Sequence, residues 1–218
     1  MGFGLEQWLA ETTQPPPIVQ AGALVLRQRA QEVDVALLKS DALKRLAEVM
    51  VDAMRAAPGV GLAAPQIGVP LRIFVAEDHA TRMVQQTEEA RALRGRVALP
   101  LLAVVNPRVV AVGADEATFY EGCLSVRGYG ALVRRSAAVT VTGVDLEGDP
   151  ISLRLEGWPA RIMQHEMDHL DGTLYVDRMI ARSLAGVDDL PRLAAMPVSD
   201  VLRELVDKDG GRTGGSAS

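Results

Sequence analysis

The sequence predicts an α+β fold that combines antiparallel β-structure with a few helices, one of them buried. Five short runs of β-type residues follow one another between residues 104 and 155, separated by Gly, Asp and Pro. Segments of helical periodicity precede and follow these runs, as is typical of an α+β domain. The length of 218 residues and the hydrophobic content of 48% suit one domain with a sizeable core.

The N-terminal half is predicted to contain one long helix and one buried strand. Residues 1–17 end in three consecutive prolines and are expected to form an extended lead-in. Apolar residues recur at three- and four-residue spacing over Val33–Ala57, which predicts an amphipathic helix ended by a Pro-Gly pair. The Gly- and Pro-rich segment 59–70 is predicted to be a loop and residues 71–76 a strand, whereas the polar segment 77–98 is predicted to be an insertion.

The C-terminal half is predicted to be mostly β-structure followed by a helix. The β-type runs are Val104–Val112, Thr118–Glu121, Ala131–Arg134, Ala138–Leu146 and Ile151–Leu155. Residues 158–170 then show helical spacing, with a proline acceptable in the first turn and a glycine after the end. A short last helix is expected at 198–206, and the Gly/Ser-rich tail 210–218 is expected to be disordered.

Composition and charge exclude several classes of protein. The net charge of −5 and the pI near 5.3 leave no chain-wide basic field for gripping DNA. No apolar run reaches the ~20 residues that a membrane-spanning helix needs. The single cysteine, Cys123, excludes an internal disulfide. The N-terminus is acidic and lacks the apolar core of a signal peptide, which favours a bacterial cytoplasmic location.

The segment His165-Glu166-Met167-Asp168-His169 carries the clearest chemical signal, because it matches H-E-x-x-H on a predicted helix. Four residues advance a helix by about 400° and about 6 Å, so both imidazoles leave the same face. Two imidazoles at that separation can share a divalent metal ion, and Glu166 can exchange a proton with a water molecule without binding the metal. A solvated helix face is the alternative, but the apolar residues of this helix indicate that it is buried.

A metal held by two histidines needs a third protein ligand. One zinc-protease pattern has a His six residues after the second His, where this sequence has Tyr175. Another pattern uses a downstream Glu, for which only Glu204 is available, and His79 lies in the polar insertion. Cys123 completes a thiolate–imidazole set that suits a catalytic metal. A lone cysteine is also a common buried and inert residue, so both interpretations stay open here.

The predicted loop 59–70 is the second unusual element. Its Gly59-x-Gly61-x-x-Ala64 spacing matches a dinucleotide fingerprint, but the loop follows a helix and does not open one. Its glycines would allow the backbone to approach a ligand closely, and Gln66 offers an amide donor. A simple helix–strand connector explains the spacing alone equally well.

Three segments together are similar to the signature motifs of the peptide deformylase family: Gly59–Gln66 (GVGLAAPQ), Glu121–Ser125 (EGCLS) and Gln164–Gly172 (QHEMDHLDG). They occur in the family's order, and the resemblance extends from about Ile18 to Met179. It implies antiparallel β-sheets packed around a central helix that bears the H-E-x-x-H motif. We therefore divide the chain into a single catalytic domain, 1–182, and a C-terminal extension, 183–218, that holds the short helix and the tail.

The resemblance also implies a reaction and a set of residues. Peptide deformylases remove the formyl group from the N-terminal formyl-methionine of nascent chains and release formate. The implied metal ligands are Cys123, His165 and His169. Glu166 is the implied general acid and base, while Gln66 and the backbone N–H of Leu124 polarise the formyl oxygen. The implied cofactor is one divalent metal ion, Fe²⁺ in the cell, with Ni²⁺, Co²⁺ or Zn²⁺ accepted in its place.

The substrate and the surroundings of the metal are implied as well. By motif position, a pocket for the methionine side chain is expected at Val60, Gly61, Leu62, Tyr129, Trp158 and Ile162. Glu121, Asp168 and Arg135 are expected to support the ligands, because a neighbouring carboxylate can accept the free N–H of a liganding histidine. Arg127 replaces a proline that is common in the family and could alter contacts beyond the methionine. Nascent peptides are the implied partners, and docking near the ribosomal exit follows from the substrate alone.

Two other functions remain open at this level. One is a zinc endopeptidase with a different third ligand, which would be indifferent to Cys123. The other is a non-catalytic descendant that binds metal or N-termini, against which the retention of Glu166 and Gln66 argues.

Overall fold

Two antiparallel sheets form the β-structure of the part of the chain that the computed structural model describes, residues 3–84 and 86–206. The strands are β1 Gly61–Ala63, β2 Ile73–Asp78, β3 Leu99–Ala111, β4 Glu116–Cys123, β5 Val126–Ser136, β6 Ala138–Val144, β7 Pro150–Glu156 and β8 Ala185–Gly186. The larger sheet has the order β1-β2-β3-β6-β7 and the smaller one the order β4-β5-β8. The predicted strands between residues 104 and 155 are therefore present, and most are longer than expected.

A central helix lies between the sheets and carries the H-E-x-x-H motif. The α-helices are α1 Leu5–Glu11, α2 Asp41–Ala56, α3 Glu88–Arg94, α4 Gly157–Leu170, α5 Leu190–Ala195 and α6 Val198–Val201. The apolar side chains of α4, among them Ile162 and Met163, pack with Phe74, Val104 and Val141 of the larger sheet. The predicted α+β class with a buried helix is confirmed.

The hydrophobic alternation of β6 explains how one sheet face meets this helix. Val139 and Val141 are buried in the same cluster as the apolar residues of α4, whereas Thr142 is exposed. In the register with β7, Val139 lies opposite Leu155 and Val141 opposite Leu153. Successive side chains of a strand point to opposite faces, so β6 turns an apolar face toward the helix and a more polar face away from it.

Helix α2 begins eight residues later than the apolar spacing predicts. The Ser40 side chain accepts a hydrogen bond from the backbone N–H of Leu43 at 3.1 Å, so Ser40 is the N-cap. Upstream, the backbone of Val33 instead exchanges two hydrogen bonds with the side chain of Asn106. Val33, Leu37 and Leu38 pack on the core without forming a helix, which explains the helical spacing of these apolar residues.

The segment 59–70 is more ordered than a loop. Residues 61–63 form β1 because they pair with residues 74–76 of β2, and Ala64–Ile67 form one turn of 3₁₀-helix. Gly68 ends that turn at a φ of +84°, which glycine adopts without strain. The prediction of a loop was wrong here because three residues are too few for a periodic signal.

The expected lead-in and insertion are also packed against the body. Residues 5–11 are helical because Leu5 and Leu9 are buried in the core with α2. In the segment 77–98, α3 has no fully buried residue, but Arg96 forms a bidentate ion pair with Asp78, whose side chain is fully buried. The division of the chain into domain, lead-in, insertion and extension stays a prediction.

The C-terminal segment covers the smaller sheet. Strand β8 pairs with Tyr129 and Gly130 of β5, while Leu193 and Val201 pack with Tyr120 and other side chains of the sheet. The predicted last helix is present as α6 continued by a wider turn, and the predicted disordered tail lies outside the described residues. No helix of the described part is long and apolar enough to cross a membrane.

Candidate active site

One thiol and two imidazoles meet where the end of β4 passes the middle of α4. The ligand atoms of Cys123, His165 and His169 all lie within 4.8 Å of one another. The Cys123 Sγ is 3.2 Å from the His169 Nε2, and the two imidazole centroids are 5.0 Å apart. The structure thus brings together the three residues expected to bind metal, although Cys123 and His169 are 46 residues apart in the sequence.

This arrangement fits a metal ion by the chemistry of its donors. The Nδ1 of His165 lies 3.0 Å from the Glu121 carboxylate, which leaves Nε2 of that ring for a metal. A thiolate with two imidazoles is an accepted set for a catalytic divalent ion with an open position. His79 is not part of the cluster, because its Nδ1 contacts Thr81.

Glu166 faces the same space from α4. Its side chain is buried, and Oε2 has no hydrogen-bond partner among the described residues. Burial raises the pKa of Glu166 to about 7, since an ionised carboxylate is poorly solvated there. A carboxyl group with a pKa near neutrality can both take up and release a proton.

Gly61 allows Glu166 to occupy this position. A Cβ atom added at Gly61 would lie 2.2 Å from the Glu166 Oε1. The glycine of β1 therefore provides the space that the carboxyl group fills.

Gln66 presents its amide to the cysteine. Its Oε1 accepts a hydrogen bond from the Ala63 N–H at 2.8 Å, which orients the amide plane. The Nε2 then donates to the Ser125 Oγ at 3.3 Å and lies 3.7 Å from the Cys123 Sγ. The amide donor expected from the sequence is thus at the site, and the Ser125 hydroxyl beside it was not expected.

A network of buried charges surrounds His165. The Glu121 carboxylate accepts two hydrogen bonds of 2.9 Å from Arg135. Arg135 also donates to Asp168, which in turn accepts from Arg178. Although burial opposes ionisation, the hydrogen bonds from Arg135 and His165 hold the pKa of Glu121 well below its usual range. Glu121 therefore stays ionised and can orient His165, whereas Asp168 contacts the arginines instead of a ligand.

Arg161 belongs to this network and was missed from the sequence. It donates to Glu121 at 2.5 Å, to the Val133 carbonyl at 3.0 Å and to the Ala117 carbonyl at 2.6 Å. Its guanidinium also lies 5.3 Å from the centroid of the Phe119 ring. The available signal was a charged residue within the apolar face of a helix predicted to be buried, where an arginine requires partners.

A cavity of about 640 Å³ opens beside the cluster. Its lining includes most of the expected pocket residues: Val60, Gly61, Tyr129, Trp158 and Ile162. Leu124 and Arg127 line it too, and Arg127 is exposed. The structure does not bring Leu62 to the cavity. Successive side chains of β1 point to opposite faces, so Leu62 points into the core while Gly61 borders the cavity.

The comparison with known proteins indicates the same family as the three sequence motifs. A family model described as polypeptide deformylase matches residues 15–184. Peptide deformylase 3 of Streptomyces avermitilis is 51% identical over 83% of this chain and 78% of its own length. A chloroplastic peptide deformylase 1A of Solanum lycopersicum is 45% identical over 84% of this chain, and the match spans 66% of that protein.

Solved structures agree with the sequence relatives. A peptide deformylase of Acinetobacter baumannii, crystallised with Met-Ala-Ser bound, superposes with a TM-score of 0.67 at 31% identity. The superposition covers 75% of this chain and 98% of that one.

Proposed function

The chain belongs to the peptide deformylase family, the hydrolases that remove the formyl group from N-terminal formyl-methionine of nascent polypeptides, and we propose how its residues carry out this reaction. The reaction centre is the Cys123–His165–His169 cluster. The observation that carries this assignment is the convergence of a thiol and two imidazoles beside a buried carboxyl group at a cavity.

The three side chains would hold one divalent metal ion. When bound, the ion acts as a Lewis acid toward the formyl oxygen and lowers the pKa of water toward ~7. Fe²⁺ is the proposed ion in the cell, with Ni²⁺, Co²⁺ or Zn²⁺ as substitutes, since the same ligands suit all four. Glu121 supports His165, and Arg135 and Arg161 keep Glu121 ionised.

Glu166 is the proposed proton carrier. Its Oε2 has no partner among the described contacts and its pKa is near 7, so it can accept a proton from the attacking water. The same carboxyl group then protonates the nitrogen of the methionine as the C–N bond breaks, giving formate and a free amine.

Gln66 and Leu124 are the proposed donors to the developing oxyanion. The Gln66 amide is oriented in advance by Ala63, and Leu124 lines the cavity directly after Cys123. Removing one donor of this kind costs about 3–4 kcal/mol in other enzymes. Val60, Trp158 and Ile162 would hold the methionine side chain in the cavity.

Formyl-methionyl peptides emerging from a ribosome are the proposed substrates. Docking near the exit tunnel and a bacterial cytoplasmic location follow from that substrate and from the bacterial relatives.

The test is an anaerobic assay of formate release from formyl-Met-Ala-Ser, with metal analysis of the same sample. We expect Cys123→Ser to lose both metal and turnover. Glu166→Gln should keep the metal and lose turnover by about 10²–10⁴-fold. His79→Ala, outside the cluster, is the matched control and should keep both.

Other results would contradict the proposal. Full turnover by Glu166→Gln would overturn its proton-transfer role. Cleavage of internal peptide bonds that is unaffected by Cys123→Ser would favour a zinc endopeptidase. For the metal, activity that decays in air with Fe²⁺ and persists with Ni²⁺ is expected, because a thiolate-ligated iron centre is open to oxidation. Equal lifetimes would count against iron.

A further inference from the structure

The segment 77–98, which has no role in the chemistry above, contacts the wall of the substrate cavity. The guanidinium carbons of Arg94 and Arg96 lie 5.5 and 5.6 Å from the centroid of the Trp158 ring. The backbone N–H of Trp158 donates to the Gly95 carbonyl at 3.2 Å. Trp158 and Arg94 both line the cavity, so these contacts bear directly on its shape.

Trp158 lines the cavity about two helical turns along α4 from the metal ligand His165. It stands four residues before Ile162 and seven before His165 on α4, so the three side chains form one stripe on the helix. Seven residues correspond to about 10 Å along the helix axis. The indole ring therefore limits how far a side chain can extend from the reaction centre.

Packing and electrostatics fix Arg96 in this position. Its ion pair with Asp78 has hydrogen bonds of 2.8 and 2.9 Å, and Asp78 is fully buried at the end of β2. A Cβ atom at Gly157 would lie 2.5 Å from the Gly95 carbonyl oxygen, so the two backbones are in close contact. The segment cannot move away from the start of α4 without breaking these contacts.

Arg94 is held differently. It donates to the Ala194 carbonyl at 3.0 Å and lies 6.0 Å from the Phe119 centroid as well as near Trp158. Among the described residues no carboxylate forms an ion pair with it, so aromatic rings take the place of a counter-ion. The Trp158 Nε1 is buried and has no acceptor in the described structure, which leaves ring contacts to set its orientation.

We propose that Arg94 and Arg96 are positioning residues that fix the Trp158 ring and thereby set the length of side chain that the cavity accepts. The inference rests on the proposed function for the identity of that side chain, the methionine. It assigns to the polar segment a role in substrate selectivity.

The test uses a Trp8→Phe background, in which Trp158 is the only tryptophan. We expect Arg94→Met to raise KM for formyl-Met-Ala-Ser about fivefold with kcat nearly unchanged, because a ground-state contact is lost. The preference for formyl-Met-Ala-Ser over formyl-Phe-Ala-Ser should narrow by a similar factor. The emission of Trp158 should move to longer wavelength as the ring becomes mobile.

A second variant keeps the test decisive if Arg94→Met does not fold. Asp78→Asn combined with Arg96→Met removes both charges of the buried ion pair together and should give the same changes in substrate preference and in Trp158 emission. The exposed Arg134→Met is the matched control and should show neither. Unchanged substrate preference and emission in both folded variants would overturn the inference. If the Trp8→Phe parent releases no formate, the proposed function fails, and the emission alone decides whether the arginines position Trp158.

Discussion

Among single residues, Gly61 matters for the candidate active site more than for folding. Its backbone pairs with Ala76 in the sheet, which any residue could do, but its missing side chain leaves the space for the Glu166 carboxyl group. The glycine that the sequence pattern associated with a ligand thus borders the carboxyl group that we propose as the proton carrier.

Gly61→Ala should therefore remove activity while the protein still folds. The added methyl group must displace Glu166, and displacements near 1 Å at a catalytic group cost about 10² in rate. Formate release and far-UV circular dichroism measure the two effects. Gly186→Ala is the control, because a Cβ there meets nothing within 4 Å. Equal activity of the two variants would contradict the role of this space.

At the scale of elements, Arg161 joins α4 to both β4 and β5 through Glu121 and two carbonyl groups. Removing it leaves Glu121 with fewer donors in a buried place. We expect Arg161→Met to lower the free energy of unfolding by about 2–3 kcal/mol and to weaken Ni²⁺ binding by about tenfold. Urea unfolding and chelator competition measure these effects, and the exposed Arg134→Met should change neither. Unaltered metal affinity would restrict Arg161 to a structural role.

An ion pair between Arg55 of α2 and Glu77 of β2 should make the stability of the fold depend on pH. Arg55 donates two hydrogen bonds of 2.9 Å to Glu77. These hydrogen bonds are the main reason that the pKa of Glu77 lies below its ordinary value of 4.5. As the pH falls, the unfolded chain takes up this proton first, so the pair's stabilisation is complete above 4.5 and is lost below the folded pKa. Glu77→Gln should thus be slightly less stable than the parent at neutral pH, and the difference should vanish as the pH falls below the folded pKa of Glu77. A difference that grows in acid would contradict the assignment.

At the scale of the whole molecule, a metal ion would link the smaller sheet to the central helix. Cys123 ends β4, and His165 and His169 lie on α4, so binding requires both elements in place. A ligand that binds only the folded state stabilises it by about 4 kcal/mol at 1,000 times its Kd.

Removing the metal should therefore lower Tm by about 10 °C relative to the Ni²⁺ form. Thermal unfolding of the chelated and reloaded protein measures the difference. Cys123→Ser should unfold at the same temperature with and without Ni²⁺, whereas His79→Ala should keep the full response. A response retained by Cys123→Ser would place the metal elsewhere.

The molecule also indicates where sequence patterns are informative. The strands of the C-terminal half were predicted from runs of β-type residues bounded by Gly, Asp and Pro, and α4 from the helical spacing of its apolar residues. The start of α2, the short β1 and the helix at residues 5–11 were missed, since a side-chain cap, a three-residue strand and local packing produce little periodicity. The segment 77–98 looked detached because its contacts are made by arginines, which sequence patterns assign to solvent.

The α+β class, the H-E-x-x-H helix and, through three motifs in order, the family were all predictable from the amino-acid sequence. These properties depend on residue type and local spacing, which the chain carries directly. The folded structure was needed to see that Cys123 meets the two histidines, that Arg161 shares Glu121 with Arg135, and that Leu62 faces the core. Those contacts join residues far apart in the chain, and their geometry follows from how the sheets pack on the central helix.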